Sequence, residues 1–122
     1  MSCSHPFPID VEQAREIVDG DVGLFQELVG MFLESAPGRL EELRISIQTG
    51  DIPEIRNRAH VIKGALKNFA ALPGVAKARV LEDAAERGDR SGAEAAFQDL
   101  ADEIEYLGYY YLKQLWKERF YE

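Results

Sequence analysis

The chain has 122 residues, of which 46% are apolar and 30% charged, and it carries a net charge of −8. That balance fits one globular domain with its own core and excludes a disordered chain, and the acidity argues against nucleic acid as a partner. A single cysteine, Cys3, excludes an internal disulfide framework and a cysteine-built zinc site, and no run approaches the ~20 apolar residues of a membrane span.

The first ten residues, MSCSHPFPID, have neither a basic start nor a long apolar run, so a secretory signal is not expected. Residues 1–9 read as a flexible tail carrying Cys3 and His5, and residues 10–122 as a single domain. Asp10 is placed to cap a short helix over 10–18. A second helix begins at Asp21, with Leu24, Phe25, Leu28, Met31 and Phe32 on one stripe. The run SAPGRL predicts a break, and Pro37 then suits the first turn of a third helix over about 37–48, closed by Gly50. Asp51 and Pro53 open a fourth helix that is expected to run to about Ala71. LPG separates it from a fifth over about 74–87, and a long last helix is predicted over about 91–119. Strand signals are weak, with no sustained alternation and no Asn-Gly or Asp-Gly turn. The expected fold is all-α: an antiparallel four-helix bundle with an additional short N-terminal helix or helices.

The fourth helix holds the chemistry. Ile52, Ile55, Ala59, Ile62, Leu66 and Phe69 are spaced as one core-facing seam. At 100° per residue, His60 lies about 140° from the centre of that seam and so faces out. Arg56, Lys63, Gly64 and Lys67 stand one or two turns away on the same side. Gly64 sits in a helix interior, where glycine costs roughly 1 kcal/mol relative to alanine. An exposed imidazole is a nucleophile at neutral pH. The cations beside it attract a phosphoryl group through charge-assisted hydrogen bonds, and the missing side chain at Gly64 leaves room for another active site to approach. The set describes a histidine that accepts and passes on phosphate.

The segment AHVIKGALKNFAA resembles the core motif of histidine-containing phosphotransfer (HPt) domains, A-H-x-[LI]-K-G followed by a hydrophobic-G-A ending. Ala59, His60, Ile62, Lys63, Gly64, Phe69 and Ala71 match it. The flanks GDVGLFQELVGMFLESAPGRLEEL and LEDAAERGD are similar to the family's helices on either side, and the resemblance covers residues 10–107. Two positions depart: Ala65 stands where a small hydroxyl residue is common, and Ala70 where glycine is usual. The resemblance implies a phosphocarrier of two-component phosphorelays rather than an enzyme, with no cofactor or metal of its own. His60 would carry the phosphoryl group, on Nε2, with Lys63 stabilising its charge and Gly64 giving access. Arg56, Val61, Lys67 and Asn68 would dock the partner; Val61 lies about 60° from the exposed centre. The implied partners are response-regulator receiver domains, which supply the aspartate and Mg²⁺, and a hybrid sensor histidine kinase. A cytoplasmic monomer is expected.

Plainer readings exist for each residue. An outward histidine is commonly a solvated one, and Lys67, Arg56 and Asn68 are ordinary surface side chains by themselves. A helical adaptor that binds receivers without phosphotransfer is the main alternative. A metal-binding bundle would need Glu-x-x-His with ligands facing inward, whereas Asn57 precedes His60 by three. No P-loop or nucleophile elbow is present for a kinase or hydrolase. In the C-terminal stretch, Tyr109, Leu112 and Trp116 form a second apolar stripe beside Leu107, Tyr111 and Leu115. Residues 7–18 are expected to cover it, with a dimer or docking face as the alternative.

Overall fold

A computed structural model describes residues 7–122. Its helices in chain order are α1 (Val11–Ile17), α2 (Val22–Thr49), α3 (Ile52–Lys67), α4 (Leu72–Glu86), α5 (Arg90–Leu112) and α6 (Lys117–Phe120). The expected all-α fold is what is seen: α2 to α5 form an antiparallel bundle, and α1 and α6 pack together at one end of it. Four helices start on an aspartate whose carboxylate accepts an N–H of the first turn. Asp10 takes Gln13, Asp21 takes Leu24, Asp51 takes Glu54 and Asp89 takes Gly92, at 2.9–3.2 Å. These bonds satisfy donors that a helix start would otherwise leave orphaned.

Three boundaries differ from the sequence expectation, the first being that α3 ends at Lys67 rather than near Ala71, because Ala70 turns left-handed at φ 57°. The helices expected on either side of SAPGRL are one continuous α2 with Pro37 inside it. Phe25, Val29, Phe32, Ala36, Leu43 and Ile47 are buried along its whole length, so the core-facing stripe continues through the proline. Pro37 itself is exposed, so its ring stands away from that buried stripe. Tertiary burial outweighs the local break.

The last helix ends early, at Leu112. Gln114 adopts a left-handed φ of 58°, and the chain folds back into α6. Trp116 and Phe120 thereby land on Phe25, with ring centroids 4.9 and 5.3 Å away. Arg15 Nη1 clamps the end of α6 by donating to the carbonyls of Arg119 and Phe120 at 2.9 and 3.0 Å. The N-terminal cover is therefore partial. Phe7 lies 6.0 Å from Tyr110 and Ile9 is buried, but Tyr109, Leu112 and Leu115 remain exposed. Within the expected tail, Pro8 and Ile9 pack into the fold; Cys3 and His5 lie outside the described residues.

Replacing Pro37 with alanine restores a helical N–H and removes the ring's clash, which together cost about 3 kcal/mol in an ordinary helix. Proline's restraint on the unfolded chain offsets about 0.4–1 kcal/mol of that. Pro37→Ala is expected to stabilise the protein by about 2 kcal/mol in urea unfolding. An unchanged or lowered midpoint would mean that α2 is already relaxed around the ring.

Candidate functional site

Asp51 and Pro53 set the start of α3, and the seam Ile55, Ala59, Ile62, Leu66 and the following Phe69 is buried as the spacing requires. Ile52 is the exception, partly exposed at the helix end. Burying that face turns His60 outward, with 69% of its side chain exposed.

α4 runs antiparallel beside α3. Near their common turn the approach is tight: a Cβ placed on Gly74 would stand 2.9 Å from Leu66 Cδ1. Farther along, α4 brings Glu82 under His60. One carboxylate oxygen lies 3.2 Å from His60 Nδ1 and the other accepts from Lys63 Nζ at 2.6 Å. A carboxylate can only accept, so the ring proton belongs on Nδ1 and the Nε2 lone pair is left free. Lys63 is only 13% exposed and Glu82 18%, so this charge-assisted bond is shielded from water and holds its geometry.

The remaining expected site residues fall as follows. Gly64 is exposed, and a Cβ there would meet nothing within 4 Å. It is not a packing glycine. Arg56 is exposed and reaches Glu86 of α4 at 3.4 Å. Lys67 is exposed. Val61, 45% exposed, turns toward α2 and lines a cleft with Arg39, Glu42, Asn57 and Arg58. Asn68 ends α3 and borders a second cleft with Ala65 and the exposed Met31 of α2. Lys63 is not the open cation that the helical wheel implied, because Glu82 already occupies it.

Glu82 was not anticipated from the sequence. Its signal is its place beside the buried Leu81, at the flank of the α4 stripe that adjoins α3. Ala70 also gains a physical reading. Its φ is +57° and its carbonyl accepts from Asp10 N at 2.9 Å, so the position asks for the left-handed backbone that glycine adopts without strain. Among the described residues, His, Cys, Asp and Glu nowhere gather in threes to hold a metal ion, and no helix is long and apolar enough to cross a membrane.

Comparison with known proteins agrees with this layout. A family model described as "Hpt domain" matches residues 27–109. No curated protein matches. Among solved structures, the chain superposes on histidine-containing phosphotransfer protein B (HptB) of Pseudomonas aeruginosa PAO1 with a TM-score of 0.72, covering 96% of each chain at 24% identity. At that identity the likeness speaks for the fold.

Glu82→Ala removes the acceptor from Nδ1 and leaves the Lys63 ammonium largely out of water without its partner. A stability loss of about 1–3 kcal/mol is expected. In ¹⁵N NMR, neutral His60 of the wild type is expected to carry its proton on Nδ1, and the variant to move toward the Nε2–H form. A wild type already in the Nε2–H form would contradict the assignment.

Proposed function

The chain belongs to the Hpt domain family, and on that premise we propose that it accepts a phosphoryl group on His60 Nε2 from the aspartyl phosphate of one receiver domain and passes it to the aspartate of another. Nε2 attacks phosphorus in line; the N–P bond forms as the aspartyl O–P bond breaks and the carboxylate leaves. The reverse step hands the group on. The bundle supplies position and charge, and the receiver supplies its aspartate and Mg²⁺. The protein is thus a phosphocarrier rather than an enzyme in its own right.

The observation that carries this reading is the Glu82 carboxylate bridging His60 Nδ1 and Lys63 Nζ. It fixes the ring's direction, keeps the outer nitrogen nucleophilic and takes up the positive charge that grows on the imidazole as the N–P bond forms. Lys63 anchors Glu82 and contributes its charge from behind the ring. Gly64 leaves the C-terminal side of His60 clear for the receiver. Val61, Lys67 and Asn68, with Met31 beyond them, offer the surrounding contact surface. A hybrid sensor kinase upstream, a monomeric state and a cytoplasmic location complete the proposal.

The test is incubation with a phosphorylated receiver domain and detection of acid-labile phosphate on His60. His60→Gln is expected to abolish acceptance while changing stability by no more than about 0.5 kcal/mol. Acceptance by that variant at the wild-type level would sink the assignment, and a wild type that binds receivers without taking phosphate would favour the adaptor reading.

Two further substitutions separate access from packing. Lys63→Ala is expected to slow single-turnover transfer, because it unseats Glu82. Gly64→Ala is expected to raise stability by up to about 1 kcal/mol. Transfer should slow from glycine to alanine to glutamine, since ~1 Å of misplacement can cost about a hundredfold in rate. If Gly64→Gln transfers like the wild type, the glycine is not there for access.

A further inference from the structure

Side chains on a helix lean toward its N-terminus, so the His60 ring lies over the turn that precedes it, not over Lys63 and Gly64. That turn borders an open cleft of about 300 Å³ lined by Pro53, Arg56, Asn57, His60 and Glu82. Its lining charges are one guanidinium and one carboxylate, and the carboxylate is already shared between His60 and Lys63. Lys63 is already held by Glu82, so Arg56 is the cation of this cleft able to move to a phosphoryl group on Nε2. The Arg56 pair with Glu86 is long, at 3.4 Å, and its side chains are 53% and 64% exposed. Such pairs contribute little and exchange readily.

Resting on the reading that His60 carries phosphate, we infer that this cleft is the phosphoryl seat. Arg56 leaves Glu86 and donates through its planar fork to two phosphoryl oxygens, and the Asn57 amide donates to the third. Phosphorylation frees Glu86 from its partner. Arg56 and Asn57 thus hold the transferred group from beside it, and its face opposite the N–P bond stays open to the receiver for in-line attack. Arg56 is a residue of the phosphorylated state, not only of the docking surface.

The experiment uses the whole protein labelled without any receiver. Phosphoramidate donates its phosphoryl group to the imidazole as the N–P bond to ammonia breaks, and the attachment to His60 is verified by mass spectrometry. ³¹P NMR then follows the phosphoryl group's titration. Loss of a neighbouring cation makes the second negative charge harder to acquire, so the midpoint in Arg56→Ala is expected to rise by about half a pH unit. Arg56→Lys should restore part of it, Asn57→Ala should move it less, and Lys67→Ala should leave it in place. A wild-type midpoint in Arg56→Ala, with label verified on His60, overturns the seat and leaves the relay reading standing. An equal rise in Lys67→Ala also overturns it, in favour of a general field. Failure of wild-type His60 to take label overturns both the seat and the open nucleophile it rests on.

Discussion

One carboxylate organises the site. Glu82 has two oxygens, and each is taken by a different residue of α3: Nδ1 of His60 at 3.2 Å and Nζ of Lys63 at 2.6 Å. Residues 60 and 63 stand one turn apart on the same side of a helix, so a single acceptor from the next helix can reach both. The consequence is chemical. The imidazole has lost a rotational freedom and its inner nitrogen faces the carboxylate, which leaves the outer one turned to solvent as the proposed acceptor. The packing of α4 on α3 keeps Glu82 where it can do this.

That register depends on close approach of α3 and α4. Gly74 lets Leu66 sit where a Cβ would crowd it, and buried alanines (Ala59 on one helix, Ala78, Ala84 and Ala85 on the other) keep the bundle narrow. The tight turn between the helices needs Ala70 in a left-handed conformation, and Asp10 reaches back to its carbonyl. The short N-terminal helix is therefore tied directly to the turn that sets the α3–α4 register. At the other side of the same end, the aromatic group of Phe25, Trp116 and Phe120 closes the bundle and is held by Arg15. These contacts lie on other elements than His60, and they act on it through helix placement.

Much of the site was legible because it lies on one helix. The 3–4 spacing of Ile55, Ala59, Ile62, Leu66 and Phe69 fixes which face is buried, and the outward direction of His60 follows from arithmetic on the same helix. The aspartate caps were legible for a similar reason, since each acts within its own first turn. What escaped depends on contacts between elements. Glu82 is 22 residues from His60, and its place at the flank of the α4 stripe does not say which helix it faces. Lys63 looked free for the same reason: its partner is on another helix. Pro37 read as a break because local propensity says so, yet the stripe from Phe25 to Ile47 buries enough on both sides to carry the helix through. The early end of α5 reverses that case. Trp116 gains more by folding onto Phe25 than by extending a helix into solvent.

In the proposed relay, Glu82 reserves Nδ1 and so makes Nε2 the atom that carries phosphorus. Long-range ¹H–¹⁵N NMR of the phosphorylated protein, read together with ³¹P coupling, identifies the substituted nitrogen directly. An Nε2–phosphorus bond is expected, with the proton retained on Nδ1 and bonded to Glu82. Phosphorus on Nδ1 would contradict it, because that nitrogen could then no longer donate to the carboxylate on which the whole arrangement depends.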